Sequence, residues 1–335
     1  MAGQTRTMSA VSTAPRIGVL INRKSGRNRA SLTELRRLIV QSPEVIAHET
    51  SGQAEALQAL RALSRDGVDV LAIAGGDGTL QHVFNRLFNE RIFKTMPPLA
   101  VLPGGTTNMI AYDIGAARKP AKELKALLAR ARAGRLDEAR VQRRLIAVHV
   151  PGRTAPMYGL FGGGAGIYQG TMISRRSVDR VGMRDAAGPL AGMVSLLGPL
   201  MIGRNPIKPV TALITHDHGK DERRDYIAIL VSTMERLILG LSPFWGTGPG
   251  ALRLTTVAAK PRRFSRVLLP ALNGRPPPDA TPANGYRSVN AGHIEIDMTG
   301  GFVLDGEVIE LEAGKPLRLD TGPTITFVRG EPNGL

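Results

Sequence analysis

The feature that most constrains the fold of this chain is a run of apolar residues that ends in three glycines around one carboxylate. The run is Asp69-Val-Leu-Ala-Ile-Ala-Gly-Gly-Asp-Gly-Thr79, and a helical pattern begins directly after it, near Leu80. Glycines let the backbone approach a polyphosphate closely, and the free amide groups at the start of a helix favour an anion. The pattern predicts a nucleotide-phosphate loop between a buried strand and a helix.

Asp77, in the middle of this loop, indicates more than anion binding. A carboxylate that faces phosphates is repelled by them unless a divalent cation lies between, or unless it handles a proton of the acceptor. Asp77 therefore favours phosphoryl transfer, with a contact to the Mg²⁺ that accompanies a nucleotide. The alternative is a tight β-to-α turn in which Asp77 is the N-cap of the helix.

Two further strand-like runs end in polar, glycine-bearing turns. Ile17 to Ile21 leads into Asn22-Arg-Lys-Ser-Gly26, and a second unit reads Pro98-Leu-Ala-Val-Leu-Pro-Gly-Gly-Thr-Thr-Asn108. In an open α/β sheet, ligands bind outside the carboxyl ends of the strands, where such loops meet. The three loops are predicted to form one site.

The pattern of elements changes along the chain. Strand-like runs alternate with helical patterns up to about residue 130, as in a parallel sheet covered on both faces. From Leu145 onward short β-rich pieces dominate, Arg266 to Leu269 among them, which predicts a β-sandwich. We therefore expect a disordered arm at residues 1–15, an α/β nucleotide-binding domain at 16–144 and a β-sandwich acceptor domain at 145–315.

Five motifs in order resemble the diacylglycerol kinase catalytic-domain family, which includes bacterial soluble lipid kinases, sphingosine kinases and, more distantly, NAD kinases. The motifs are Asn22 to Gly26, Thr50 with Ala54, Gly75 to Thr79, Pro103 to Asn108, and Leu304-Asp-Gly-Glu307. The resemblance implies an N-terminal three-layer domain like that of NAD kinase. It also implies that residues 316–335 pack back on the first domain.

The resemblance further implies that the three loops bind ATP. The implied nucleotide-binding residues are Asn22, Ser25, Gly26, Thr50, Gly75, Gly76, Asp77, Gly78, Thr79, Thr106 and Asn108. The third loop departs from the family pattern, because Gly104, Thr107 and Met109 replace its Leu, Gly and Asp. Thr106 and Asn108 remain the polar residues there that we assign to the nucleotide.

Asp305 and Glu307 flank Gly306 in a tight turn or bulge. Two carboxylates so close together raise the pKa of one of them, which suits a general base. We assign Glu307 to take the proton of the acceptor hydroxyl and Asp305 to orient it or help bind metal. The alternatives are a hairpin turn with solvated acids, or Asp77 as the base, because the equivalent Asp is discussed as the base in sphingosine kinases.

Composition narrows the choice of partner. The chain has no cysteine, which excludes disulfides and thiolate catalysis, and its net charge of +16 favours polyanions such as a nucleotide or an anionic membrane. Aromatic residues make up only 4%, without basic-aromatic interleaving, so we expect no specific nucleic-acid partner. The longest apolar stretch, Ala186 to Ile202, is too short to span a bilayer. Its helical spacing indicates a core helix or, alternatively, a helix that touches lipid.

Together these features predict a lipid kinase that uses ATP and Mg²⁺. It would phosphorylate diacylglycerol or a related long-chain lipid alcohol, as a cytoplasmic protein associated peripherally with the inner face of an anionic membrane. Whether it forms a homodimer is left open. The competing prediction is a non-catalytic, nucleotide-responsive binding protein that keeps a degenerate lipid-kinase fold.

Overall fold

The structure is a computed structural model that describes residues 15–24, 29–105, 107–181, 207–217, 219–220 and 223–330. The helices are α1 (Arg29–Val40), α2 (Gln53–Arg65), α3 (Asp77–Asn89), α4 (Met109–Ile114), α5 (Pro120–Arg132), α6 (Gly166–Val181) and α7 (Phe264–Leu272). Short 3-10 turns cover Asp137–Ala139, Ile238–Gly240 and Pro282–Asn284. No helix among the described residues is long and apolar enough to cross a membrane.

The first eight strands are β1 (Ile17–Asn22), β2 (Val45–Thr50), β3 (Val70–Gly75), β4 (Leu99–Pro103), β5 (Arg140–His149), β6 (Met157–Gly159), β7 (Phe161–Ala165) and β8 (Val210–His216). The others are β9 (Gly219–Lys220), β10 (Arg224–Ser232), β11 (Leu252–Ala258), β12 (Tyr286–Ala291), β13 (His293–Met298), β14 (Gly300–Leu304), β15 (Glu307–Leu311) and β16 (Leu317–Val328). Ala186 to Ile202 and most of the expected N-terminal arm lie outside the described residues.

The N-terminal part is a three-layer arrangement around the parallel strands β2-β1-β3-β4. Successive side chains of β3 face opposite sides of the sheet. Leu71 and Ile73 pack with helices α2 and α3, whereas Val70 and Ala72 pack with α1 and α5. Burial on both faces explains why this strand reads as a continuous apolar run. The predicted α/β class is confirmed.

The order of these strands gathers the three predicted loops. β1 lies between β2 and β3, so the order of the strands reverses at β1. Asn22 at the end of β1 is paired with Thr50, and Gly75 at the end of β3 is paired with Pro103 of β4. The carboxyl ends of β1, β3 and β4 therefore meet at one edge of the sheet, which is where ligands bind in open α/β sheets.

The C-terminal part is rich in β-strands and continues the same sheet. β16 is antiparallel to β5 along most of its length, from Arg318 opposite His149 to Val328 opposite Arg140, and it is parallel to β4 at Phe327. The expected border between residues 144 and 145 falls inside β5. The β-rich C-terminal part is confirmed, but the strand predicted at Arg266 to Leu269 is wrong, because these residues belong to α7.

A buried ion pair ties α4 to the C-terminal part. Asp113, in the last turn of α4, has a fully buried side chain that accepts a hydrogen bond from Nε of Arg143 at 2.7 Å. Its other carboxylate oxygen accepts from the backbone N–H groups of Glu235 and Arg236, both at 2.9 Å. These bonds hold the segment before the Ile238–Gly240 turn against the helix that follows the third loop.

Candidate functional site

The second and third loops touch through their glycines. A methyl group on Gly76 would lie 2.9 Å from Cα of Gly105, closer than real side chains come to backbone. The amide of Gly104 also donates to the carbonyl of Gly75 at 2.9 Å. Only residues without a side chain let the loops after β3 and β4 meet this closely, which explains the paired glycine signatures.

The contact between these loops gives a first prediction. Gly76→Ala should lower the melting temperature, because the added methyl group would force the loop after β3 away from Gly105. Gly78→Ala is the matched control: a methyl group there meets open space, and Gly78 lies within α3, so helix propensity should stabilise the fold by about 0.5–1 kcal/mol. Thermal unfolding of the two variants measures this. Equal shifts for both would show that the loops do not constrain each other.

Three of the predicted nucleotide-binding residues line one small cavity. Asn22, Thr50 and Thr79 come from β1, β2 and α3 to a cavity of about 230 Å³, where Nδ2 of Asn22 donates to Oγ1 of Thr79 at 2.8 Å. His82 and Arg86, one and two turns into α3, also line it. The motif analysis missed these two basic residues, although their spacing on the helix that leaves the phosphate loop is a usable signal.

The remaining predicted nucleotide residues differ in their placement. Both amide atoms of Asn108 bind Gly105, with Oδ1 accepting from its N–H and Nδ2 donating to its carbonyl, each at 2.8 Å. Asn108 has a left-handed backbone, with φ of 45°, and so shapes the third loop. Ser25, Gly26 and Thr106 lie outside the described residues.

Asp77 caps a helix, but not the one that follows it. Its two carboxylate oxygens accept the N–H groups of Met109 and Ile110, each at 3.0 Å, at the start of α4. Burial raises the pKa of Asp77, and these backbone hydrogen bonds oppose the rise. The alternative prediction, in which Asp77 caps the helix of its own β-to-α turn, gives the right kind of interaction, but the capped helix is α4 and not α3. Asp77 therefore joins the second loop to the third.

A second, larger cavity opens on the other side of the phosphate loop. Its volume is about 600 Å³ and its walls are mostly apolar. Its charged lining residues, Asp77, Asp305 and Arg175, lie together at one end, because the charge of Asp77 acts on Asp305 and Arg175 binds the Asp-Gly turn. The other polar lining residues are Thr107, Thr171, Thr255 and Tyr286. The apolar residues of the walls include Phe161, Ile167, Ile227, Leu230, Leu237, Ile238, Leu241, Trp245, Val257, Phe264, Val267, Leu268, Ala271, Leu272 and Val303.

Asp305 occupies the two-residue turn between β14 and β15. Asp305 and Gly306 both have positive φ, 45° and 93°, as a type I′ turn requires, and Asp-Gly is a preferred sequence for it. The buried carboxylate of Asp305 accepts the N–H groups of Leu160 at 2.8 Å and Phe161 at 2.9 Å. Burial raises the pKa of Asp305 to about 8, with a further contribution from the negative charge of Asp77.

Glu307 lies in a different environment from the one expected. Its Oε1 is 3.4 Å from Nε2 of His82 on α3, and the hydrogen bond from His82 lowers the pKa of Glu307. We expect a raised pKa for one of the two carboxyl groups, and in the structure that group is Asp305 and not Glu307, to which we assign the role of base from the sequence. Glu307 is half-exposed beside a basic residue of the small cavity, whereas Asp305 lines the large one.

Arg175 of α6 also belongs to this site, although nothing in the sequence marks it as a site residue. Its guanidinium donates to the carbonyl of Gly306 and lines the same end of the large cavity. No local motif marks Arg175, because the chain brings it to the Asp-Gly turn from a distant helix. It places one positive charge beside the carboxylates of Asp77 and Asp305.

The resemblance implies Mg²⁺, and the oxygen ligands at this site are compatible with that ion. The described residues contain no group of three or more His, Asp or Glu side chains that could hold a metal ion by themselves. Asp77 and Asp305 offer hard carboxylate oxygens at one end of the large cavity. Since Mg²⁺ is commonly held by one or two carboxylates plus the phosphates of a substrate, these residues fit an ion that arrives with a nucleotide.

Comparison with known proteins gives a family match for the N-terminal part. Residues 16–141 match the family described as Diacylglycerol kinase catalytic domain. The predicted family resemblance is confirmed. The chain is also similar to a curated relative in Stenotrophomonas maltophilia, named "Probable lipid kinase YegS-like", at 29% identity over 204 residues. That alignment covers 61% of this chain and 60% of the relative, so the chain matches less than two thirds of the relative's length.

Solved structures show that the fold of nearly the whole chain is shared with other proteins. A diacylglycerol kinase from Bacillus anthracis superposes with a TM-score of 0.60 at 17% identity, covering 95% of this chain and 97% of that one. Another protein of that organism reaches 0.68, also at 17% identity, over 98% and 99% of the two chains. Yeast NADH kinase complexed with NADH gives 0.51 at 12% identity, over 95% and 84%. The NAD kinase-like fold is thereby confirmed.

Proposed function

We propose that this protein is a lipid kinase that transfers the terminal phosphate of ATP to the hydroxyl of a long-chain lipid alcohol, with diacylglycerol as the first candidate. The observation that carries the proposal is that consecutive residues of one loop line both cavities. Gly76, Asp77 and Gly78 line the large apolar cavity, and Thr79 lines the small polar one. A phosphate held at this loop lies between a nucleotide on one side and an apolar acceptor on the other.

The large cavity supports a lipid acceptor. Its volume of about 600 Å³ lies within the usual range of ligand pockets, and its charged lining residues, Asp77, Asp305 and Arg175, lie together at one end. A long-chain alcohol has the same division, with a hydroxyl at one end and hydrocarbon behind it. A protein that only sensed nucleotide would have no use for an apolar cavity beside its phosphate loop, so the enzyme is favoured over the non-catalytic alternative.

We assign the general base to Asp305 in place of Glu307. Asp305 lines the acceptor cavity, and its carboxylate keeps acceptor capacity beyond the two backbone hydrogen bonds that fix its orientation. In the proposed in-line transfer, the acceptor hydroxyl gives its proton to Asp305, its oxygen bonds to the γ-phosphorus, and the bond from that phosphorus to ADP breaks. Glu307 instead orients His82 beside the nucleotide.

The loops supply the remaining stabilisation. The glycine backbone of the second loop would approach the phosphates, and Arg175 would offset part of the negative charge that gathers at the carboxylates. Bound Mg²⁺, held by the phosphates and by Asp77, would neutralise charge on the transferred group. The role of Asp77 in joining the loops keeps its carboxylate in a fixed position for this contact.

The test is transfer of radiolabelled phosphate from ATP to a panel of lipids in mixed micelles. We expect long-chain alcohols to be phosphorylated, and Ala271→Phe to reduce kcat/KM for long chains relative to short chains by about tenfold or more. Ala271 is a buried residue of the cavity wall, so a phenyl ring there shortens the available space. Wild-type protein that binds ATP but phosphorylates no lipid would instead establish the binding-protein alternative.

A further inference from the structure

The exposed apolar side chains are concentrated around the large cavity. Among the described residues, four large hydrophobic side chains are exposed: Leu239 at 63%, Leu269 at 53%, Ile173 at 42% and Val40 at 86%. The first three lie on the Ile238–Gly240 turn, on α7 and on α6, and each of these elements contributes to the cavity wall. Val40 is the last residue of α1. That helix contributes no described residue to the cavity wall and packs with α5 on one face of the N-terminal sheet.

Exposed and wall-lining residues alternate on the same elements. Ile238 lines the cavity and Leu239 beside it faces solvent; Leu268 lines the cavity and Leu269 beside it faces solvent. Apolar residues of the cavity wall are therefore chain neighbours of apolar residues on the outer surface. Exposed hydrophobic residues clustered at the rim of a binding cavity mark an interaction site.

The backbone conformation of Leu239 indicates that its side chain has a role other than packing in the core. Its φ of 60° and ψ of 18° are left-handed, a conformation that a leucine rarely adopts. Hydrogen bonds between Leu237 and Leu241 and from Gly240 to Leu237 hold the turn in this shape. Strained residues that persist on a surface are found where the strain serves function.

The same rim carries positive charge. The segment from Lys260 to Asp279, which contains α7, has five basic residues and one acidic residue. Arg262, Arg263 and Arg266 are exposed, and the last two share the single carboxylate of Asp279, at 2.8 Å and 3.4 Å. This excess of exposed guanidinium groups beside exposed leucines complements an anionic lipid headgroup layer above an apolar interior.

We propose that Leu239, Leu269 and Ile173, with the arginines around α7, form a face that docks on an anionic lipid bilayer. We name this the rim face. The leucines enter the interface while the arginines bind phosphate headgroups, so the mouth of the cavity meets the hydrocarbon and the acceptor need not cross water. This inference rests on the proposed function for the identity of the acceptor, but not for the binding itself.

Co-sedimentation of the full chain with vesicles tests the rim face directly. Vesicles of phosphatidylcholine mixed with phosphatidylglycerol are the probe, and the variant is Leu239→Ser with Leu269→Ser. Its vesicle partition coefficient should fall about tenfold or more, because two side chains lose apolar burial. Val40→Ser, which changes a more exposed apolar residue on α1, should bind as wild type. Equal binding by the double variant and wild type would overturn the proposal.

A second measurement uses Trp245, the single tryptophan of the chain, which lines the cavity. Phosphatidylcholine with brominated acyl chains, mixed with phosphatidylglycerol, should quench its fluorescence in wild type and in Val40→Ser, and much less in the double serine variant. Quenching that is unchanged in the serine variant overturns the rim face. Light scattering tests whether the face instead joins copies of this protein. If the serine substitutions dissociate a self-assembled species without altering vesicle binding, the face is a protein interface and the proposal fails.

Kinase assays separate this inference from the proposed function. A water-soluble, short-chain alcohol should be phosphorylated equally by wild type and by the serine variant, whereas acceptor embedded in anionic vesicles should be phosphorylated about tenfold more slowly by the variant. If no lipid is phosphorylated but the serine variant still loses vesicle binding, the rim face stands and the kinase proposal falls. If both proteins phosphorylate vesicle-embedded acceptor equally, the kinase stands and the rim face falls.

Discussion

Asp305→Asn is expected to lower kcat/KM for lipid phosphorylation by about 10²- to 10⁴-fold, the range for loss of a general base. The change removes the ability to take a proton and leaves the size of the side chain nearly unchanged. Affinity for ATP, measured by isothermal titration, should stay close to wild type, because Asp305 lines the acceptor cavity and not the small polar one.

The pH profile gives an independent signature of this base. Because burial and Asp77 raise the pKa of Asp305 to about 8, the residue holds its proton at neutral pH and loses it as the pH rises through that value. Only the ionised form accepts the proton of the acceptor, so kcat/KM of wild type should rise towards pH 8 and level off above it. In Asp305→Asn the residual rate should lack this rise.

Glu307→Gln is the matched control for Asp305→Asn. Both residues flank Gly306, but Glu307 pairs with His82 and has a lowered pKa, so its amide variant should retain most of the phosphotransfer activity. A dead Glu307→Gln beside an active Asp305→Asn would return the base to Glu307. If both variants are active and Asp77→Asn is dead, the base is Asp77.

Asp113→Ala should lower the free energy of unfolding by about 3–5 kcal/mol, the typical loss when one partner of a buried ion pair is removed. Arg143 is almost fully buried and would lose its buried counter-charge, keeping the exposed carboxylate of Glu235 at 3.2 Å, while the N–H groups of Glu235 and Arg236 would lose their acceptor. Denaturant unfolding measures the change. The lost bonds also anchor the segment that leads to the cavity wall at Leu237 and Ile238.

An exposed ion pair is the control for Asp113→Ala. Arg135 and Glu138 also form a short pair, at 2.7 Å, but both side chains are more than half exposed. Because water screens such a pair, Glu138→Ala should change the free energy of unfolding little. If the two alanine variants were equally stable, burial would not be what gives the Asp113 interaction its strength.

The strand-end loops could be predicted from the sequence because their signals are local. A buried apolar run followed by glycines fixes both the strand and the turn, and parallel topology brings such turns to one edge. Asn22, Thr50 and Thr79 accordingly meet in one cavity. The placement of the domain borders stays a prediction, although the border at residue 144 interrupts β5.

Other features depend on contacts that a local pattern does not contain. Arg266 to Leu269 is a short apolar run, and such runs fit a strand or a buried helix equally well until packing decides. Asp305 and Glu307 are two residues apart, yet the first turns into the interior at positive φ and the second begins β15 beside α3. Arg175 reaches the site from the distant helix α6, with no motif to mark it.

The shared strand β16 has a mechanical consequence. Many kinases exclude water by bending two lobes together at a hinge, but here β16 is hydrogen-bonded to β5 and β13 of the C-terminal part and to β4 of the N-terminal part. A hinge between the two parts would separate β16 from β4 at the pairing of Phe327 with Leu99. We therefore expect a cleft of nearly constant width, in which the hydrocarbon of the acceptor itself displaces water and an empty cavity leaves ATP open to slow hydrolysis.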